Sequence, residues 1–389
     1  MFDSPTQHVL TELHNDLISG RYYRRGELVW AALDPPICGQ NDAEQITFWP
    51  GIVGEIHLQV EVNHSSDDSF VPYQNHAYTI HFLAVHQAHV FPEARILPHQ
   101  AYVQSGALSQ RLHVFQPPPN LSHDLSEFTS FRPLQTSSFD DHPYPDAPKF
   151  EDALGPYILA VRINEFLTTY FKPIGKWIFY SQESSGGANI PPGNGFSDLA
   201  SGIKAHHRYQ GLWWGAEKLW TGDLVRIKPE RSKFPLEIRT AFKPPASTEE
   251  HHERRLLFFR IESIYVDHPP DELQTLGGSC KVAGSIYETV DLDFEEAPEP
   301  ISSREPKHPS SLSQLSSPAM PSSTKGKGRA DVEQYPLPKP PPGFKFRQIT
   351  KPGTEITFPA PLIAGRYYPD ILSNPLVGLT ADDIKNATK

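Results

Sequence analysis

Apolar residues near the N-terminus recur at helical spacing. Val9, Leu10, Leu13 and Leu17 share one face, which predicts a short amphipathic helix from Ser4 to Leu17 with Asp3 or Ser4 as its cap. The period then changes. Gly26-Glu27-Leu28-Val29-Trp30-Ala31-Ala32-Leu33 is a compact apolar run closed by Asp34-Pro35-Pro36, the signature of a strand and its turn. A second strand signal runs from Ile46 to Val62, where Trp49-Pro50-Gly51 leads into an alternation that sets Ile56, Leu58, Val60 and Val62 on one face. Tyr78 to Val85 reads as a third strand. From Ala153 to Phe171 apolar residues are dense and nearly all-round, predicting a helix buried between folded bodies and ended before Lys172-Pro173. A second strand-rich region opens at Gly211–Trp220, continues through Gly222–Ile227 and centres on Leu256–Val266.

This pattern divides the chain into an N-terminal helix (1–19), a first β-barrel-like module (20–118), a Ser/Asp/Pro-rich linker (119–150), a helix with a second β module (151–292), an arm (293–341) and a C-terminal tail (342–389) that docks back on the folded part. Composition sharpens the division. Proline takes 40 of 389 positions and hydrophobic residues only 38%, so folded parts are diluted by open chain and an all-helical bundle is excluded. Residues 298–342 hold 11 prolines and 9 serines, too little apolar surface to offset ordering entropy, and predict a disordered arm. Two short echoes occur: Gly26-Glu27-Leu28-Val29 with Gly222-Asp223-Leu224-Val225, and Gly20-Arg21-Tyr22-Tyr23 with Gly365-Arg366-Tyr367-Tyr368. The first pair starts the same sort of module twice.

Charge and motifs exclude several functions. With 35 basic and 46 acidic side chains the chain carries −11, so any nucleic-acid contact must be a local patch. Two cysteines, Cys38 and Cys280, build neither a disulfide framework nor a four-cysteine zinc site, and they fit a reducing compartment. No stretch has the length of a membrane span, and the first residues lack the pattern of a secretory signal. The P-loop, the dinucleotide fingerprint and the nucleophile elbow are all missing. His206-His207 and His251-His252 lack the spacing of a metal site, and the second pair reads as part of a charged, solvated loop. The expectation is therefore a protein that is not an enzyme, with no catalytic residue, metal, cofactor or small-molecule substrate.

The aromatic residues carry more information. Trp30, Trp49, Trp213, Trp214 and Trp220 all lie in the two strand-entry regions. As core they would fill the small interior of a barrel; as a cage, Tyr22, Tyr23, Trp30 and Trp49 would surround a methylated lysine by cation–π attraction. Core is the preferred reading. Trp213, Trp214, Glu217 and Trp220 are candidates for a partner-binding face, because alternate strand positions cannot all point inwards. From 200 to 243 the balance is +5, with Arg226, Lys228, Arg231 and Lys233 as candidate phosphate contacts beside the simpler reading of a solvated hairpin. Lys325-Gly326-Lys327-Gly328-Arg329 is a minimal nuclear-import candidate.

These same motifs resemble the fungal cryptic loci regulator 2 family of transcription-silencing proteins. The residues are Gly26 to Leu33, Phe48-Trp49-Pro50-Gly51-Ile52-Val53, Gly211 to Ile227, Pro342-Gly343-Phe344 and Ala364-Gly365-Arg366-Tyr367-Tyr368-Pro369. The block Gly211-Leu212-Trp213-Trp214-Gly215-Ala216-Glu217-Lys218-Leu219-Trp220 is the most specific. The resemblance implies a nuclear, non-catalytic subunit of a heterochromatin repressor assembly that couples a histone deacetylase to a remodelling ATPase. It further implies a bromo-adjacent-homology-like β module for protein contacts. The family's methyl-CpG-binding-like region has little room ahead of Gly26, so DNA contact is not carried over with it. Gly-Glu-Leu-Val-Trp followed by Trp-Pro also resembles PWWP and Tudor chromatin modules.

The fold class expected is α+β and β-dominated: two small barrel-like modules around a buried helix, with a Pro/Ser arm. The function expected is a scaffold holding other subunits of a deacetylase silencing complex on chromatin, away from any membrane. The alternative is a reader of a methylated histone tail or of DNA.

Overall fold

A computed structural model describes residues 4–18, 22–40, 44–64, 70–114, 126–134, 148–182, 203–246, 256–266, 280–296, 335–351 and 354–377. The N-terminal helix α1 spans Ser4–Ile18, matching its apolar spacing. Strands β1 (Leu28–Cys38), β2 (Gln45–His64), β3 (Phe70–Phe82), β4 (Ala88–Pro92) and β5 (Ile96–Pro98) follow. Short helices α2 (Gly106–Val114) and α3 (Ser126–Thr129) lead to α4 (Phe150–Thr168). Then come β6 (Phe171–Gln182), β7 (Ile203–Trp214), β8 (Glu217–Trp220), β9 (Leu224–Ile227), α5 (Leu236–Arg239), β10 (Leu257–Val266), β11 (Cys280–Asp291), β12 (Phe344–Gln348), β13 (Ile356–Pro359) and β14 (Ile363–Arg366). Among the described residues no helix is long and apolar enough to cross a membrane.

The strands form two antiparallel sheets. The first has the order β4-β3-β2-β1-β5; the second has nine strands along the path β12-β11-β10-β7-β6, with β8 on β7, β13 on β11, and β9 between β10 and β14. Neither closes into a barrel through a hydrogen-bonded ladder among the described residues. That corrects the expected barrels. Between the fourth and fifth strands Glu93–Arg95 forms a single 3-10 turn that carries the chain across to pair β5 with β1, which leaves β4 and β5 as the two unjoined edges of the sheet.

The short sequence echo marks a much longer structural one. In the second sheet, β9, β10, β11, β13 and β14 repeat the order of the first five strands, β14-β9-β10-β11-β13, again with a 3-10 turn (Ala360–Leu362) before the last strand. The registers coincide. Leu28 pairs with Ile52 as Leu224 pairs with Arg260, and Ala31 pairs with Ile96 as Ile227 pairs with Ile363. Tyr78 pairs with Phe91 as Val282 pairs with Phe358. Even the irregularity recurs: the second and third strands shift register between Val53 and Ile56 and between Ile261 and Ser263. Each fourth strand ends Phe-Pro and each fifth begins with Ile, at Phe91-Pro92 and Ile96, then at Phe358-Pro359 and Ile363. A proline cannot continue a ladder as donor, so it ends the fourth strand at the same place both times.

Each module has its own core. Trp49, Tyr78, Ile80 and Phe82 of the first sheet pack on Ala153, Leu154, Tyr157 and Ala160 of α4. Helix α4 thus belongs to the first module. Its all-round apolar sequence does not bury it all round: Phe166 is 71% exposed, because only its N-terminal half lies on the sheet. The second core gathers Phe259, Ile261, Val282, Ile286, Phe358 and Ile363. Of the expected docked tail, residues 342–351 and 354–377 are described, and they supply three strands of the second sheet. Of the Pro/Ser arm, residues 297–334 lie outside the described residues, and so do Lys325 to Arg329. Residues 335–341, which the pattern assigned to that arm, lie against the second module.

Candidate functional site at the junction of the modules

The repeated Gly-acid pair builds one turn twice. In Arg24-Arg25-Gly26-Glu27 the Glu27 N–H donates to the Arg24 carbonyl (3.1 Å), and the Arg24 N–H donates to the Glu27 carboxylate (2.8 Å). In Trp220-Thr221-Gly222-Asp223 the same two bonds measure 3.1 and 2.7 Å. The third position needs a left-handed backbone, and glycine supplies it with φ of +88° at Gly26 and +103° at Gly222. An acid beyond the glycine therefore accepts from the turn and faces inward, where a buried carboxylate requires a cation.

The modules exchange those cations. Arg366, on the last strand of the second module, grips both Glu27 oxygens of the first module at 2.8 Å each. Arg24, from the first module, grips both Asp223 oxygens of the second at 2.6 and 2.7 Å. Both guanidiniums also donate to the Lys218 carbonyl, and Arg366 reaches the Tyr22 carbonyl at 2.6 Å. Lys218 donates from its backbone to Glu27 (2.9 Å) and from its ammonium to Glu12 of α1 (2.5 Å). Asp16 of α1 accepts the Trp220 indole N–H at 2.8 Å. Helix α1, both turns and the tail are thus joined by one ionic network. Every charged side chain in it but Glu12 is nine-tenths or more buried.

Burial opposes charge on Arg366, yet Glu27, with Tyr368, Asp223 and Glu217, holds its pKa well above the usual arginine value. Burial raises the Asp16 carboxyl, while Arg24 and the Trp220 bond pull it back. Glu217 accepts from the Arg366 N–H (2.7 Å) and the Tyr368 hydroxyl (3.1 Å), but it lacks a bidentate cation of its own. Its burial pushes the carboxyl up to about 7. On the outer side of Glu217 lies a cavity of about 350 Å³, walled by Phe258, Tyr367, Ile371 and Pro341 and bearing Arg226.

The other candidates are placed as follows. Trp30, Trp49 and Tyr23 are 5%, 0% and 1% exposed, and Tyr22 is half-buried. Trp49 donates to the Leu83 carbonyl and Tyr23 to that of Ile96, while Trp30 stacks on His99 and meets Tyr102 edge-on. These four side chains do not surround an open space; they divide between the first core and a second apolar cluster on the sheet's other face. Trp220 and Glu217 are interior, whereas Trp213 and Trp214 are half-buried. Trp213 lies over Gly26, where an added Cβ would meet its ring at 2.9 Å, and over the Lys218 ammonium, 4.8 Å from the ring centroid. Arg226, Lys228 and Lys233 are exposed, and Lys228 donates to the Pro361 carbonyl. Arg231 turns inward to Glu288 and the Lys243 carbonyl, so it does not share their surface. Among the described residues no group of three metal-ligating side chains converges.

Sequence reasoning noticed Glu27 and Asp223 as parts of an echo but not as ends of a lock. The signal available was an acid behind a glycine at the mouth of an apolar strand, twice. Arg366 stood in an echo and in a family-like motif, and Arg24 in neither, but nothing local tells which of many arginines crosses to the other module.

The family model of the transcription-silencing protein Clr2 matches residues 208–369. No curated protein matches the chain. A solved structure described as Clr2 bound to the Clr1 C-terminus aligns over 93% of this chain and 55% of its own length, at 16% identity and a TM-score of 0.41. This chain therefore spans about half the length of that one. The matched stretch takes in the second module from β7 through the Arg366 side of the lock, and over residues 208–369 this protein is similar to the Clr2 family of transcription-silencing proteins.

Proposed function

We propose that the chain is a non-catalytic scaffold subunit of a nuclear silencing assembly that contains a histone deacetylase and a remodelling ATPase. The observation that supports this reading is the reciprocal lock inside and beside the Clr2-like region. The buried charged groups at the junction bind one another, which suits them to holding two modules in one orientation. A scaffold needs that rigidity, because ordering a platform in advance lowers the cost of binding each partner. Affinity purification of the intact chain from nuclear extract should recover deacetylase and ATPase subunits. Recovery of the chain by itself at low salt would overturn the proposal.

A second reading, contact with DNA, draws on Arg226 of β9 and Lys228 just after it, both of which are exposed. Binding of that kind weakens steeply with salt through counterion release, whereas an apolar protein contact does not. A salt titration of duplex binding by the wild type and by a chain with both residues changed to Glu separates the readings.

A further inference from the structure

Residues Tyr335-Pro336-Leu337-Pro338-Lys339-Pro340-Pro341-Pro342 cross the outer face of the second module in no sheet or helix. Exposure along them has a period of three: Pro336, Lys339 and Pro342 face solvent, and the residues between are buried or half-buried. Three residues per turn is the repeat of a polyproline II helix, which offers two faces to a groove and one edge to water. The groove is aromatic. Phe258, Phe346 and Tyr367 meet edge to face with centroids 5.3 to 5.5 Å apart, and Leu337 packs on the cluster they form with Leu224 and Tyr287.

The polar contacts are those such a segment needs. Proline has no N–H, so at its proline positions the strap's backbone can only accept. The Tyr367 hydroxyl donates to the Lys339 carbonyl at 3.0 Å and Arg260 donates to the Tyr335 carbonyl at 2.5 Å. The Lys339 ammonium reaches both oxygens of Asp370, at 3.1 and 3.2 Å.

The strap leaves the face early. At Gly343, with φ of +85°, the chain turns back and the Phe344 N–H closes onto the Pro341 carbonyl. Beyond Pro341 and Pro342 lies the cavity of about 350 Å³, with Leu256, Phe258, Ile371 and Leu372 in its walls. The Arg226 side chain stands exposed there and makes no ion pair or hydrogen bond among the described residues. A segment that ran straight on would fill the space that the strap does not.

We propose that this outer face is a polyproline II binding site, occupied in the resting chain by its own Tyr335–Pro342. Its ligand in trans is a proline-rich segment of a partner protein, continued by an apolar and then an acidic residue that meets Arg226. The tethered strap competes at a high effective concentration, and the longer segment gains by covering the cavity as well. The inference stands apart from the silencing reading, since the groove binds by its shape whatever complex surrounds it.

The test uses full-length chain and two fluorescent peptides, Tyr-Pro-Leu-Pro-Lys-Pro-Pro-Pro and the same peptide extended by Leu-Asp. The cis strap is loosened by Pro338→Gly, Pro340→Gly and Pro341→Gly together. Anisotropy should show the loosened chain binding the short peptide about tenfold more tightly than wild type does, as release from a tethered competitor predicts. The extended peptide should bind more tightly still, with that gain lost in Arg226→Glu and overall binding weakened in Tyr367→Phe. A loosened chain that melts cooperatively but binds neither peptide would overturn the proposal. A loosened chain that no longer melts cooperatively would also overturn it, because the strap would then be part of the core. Equal binding of both peptides, or a gain that survives Arg226→Glu, would refute the role of the cavity.

Discussion

Replacing Arg366 by Met tests the lock directly. The substitution keeps an apolar stem of similar length and removes contacts to both Glu27 oxygens, the Tyr22 and Lys218 carbonyls and the Tyr368 hydroxyl. Glu27, 1% exposed, is left with only the backbone N–H groups of Arg24 and Lys218. Deleting one partner of a buried pair costs ~3–5 kcal/mol, mostly as the penalty on the orphaned charge. If that is the mechanism, neutralising the orphan recovers part of the loss. Glu27→Gln should destabilise wild type but harm the Arg366→Met chain less, with a coupling of roughly 2 kcal/mol, within the range for residues in one network. Urea unfolding followed by tryptophan fluorescence reads both effects, because Trp220 sits in the network itself. Wild type should unfold in one transition, and Arg366→Met should separate the modules into two. A loss below about 1 kcal/mol, or additivity within about 0.5 kcal/mol, would refute the account.

Two further predictions concern neighbouring groups. Trp30, 5% exposed and bonded to the His99 carbonyl at 3.0 Å, is packed core, so Trp30→Ala should cost ~3–5 kcal/mol in urea melts. A melting temperature left unchanged would return it to the role of a ligand-binding residue. Glu217 has a folded-state pKa of about 7, above its ordinary carboxylate value, so the folded chain holds a proton that the unfolded chain gives up. Its contribution is therefore full below pH ~4.5 and is lost as pH rises through ~7, an effect on the order of 3 kcal/mol. Glu217→Gln should flatten the fall in stability between those pH values, and parallel curves for the two proteins would show that Glu217 does not carry it.

Much of the architecture could be read from local pattern. The helix at Ser4–Ile18, the strands around Trp30, Trp49 and Leu257–Val266, and the docking of the tail all follow from apolar period and turn residues. The burial of Trp30 and Trp49 was legible in the same way, because large indoles at strand entries pack readily into a core, whereas the complete burial of Trp220, offered as part of a partner-binding face, was not. Helix α4 misled in part. Its apolar residues announced a buried helix, but burial depends on what lies beside each face, and nothing among the described residues covers Phe166. The open sheets were equally beyond local reading, since closure depends on whether the ends of a sheet meet in space.

Sequence alone determined where β1, β2 and β10 begin, that two strand entries are alike, and that the P-loop, the dinucleotide fingerprint and the nucleophile elbow are missing, because each of these is a matter of neighbours along the chain. Only the tertiary structure decided that four matching residues stand for five matching strands. The same holds for Arg24 and Arg366 crossing to each other's modules, and for a proline run lying in an aromatic groove. Register and ion pairing join residues up to 339 positions apart, as Arg366 is from Glu27. Such contacts are selected by the packing of whole sheets and leave no local signature for a reader of the chain to find.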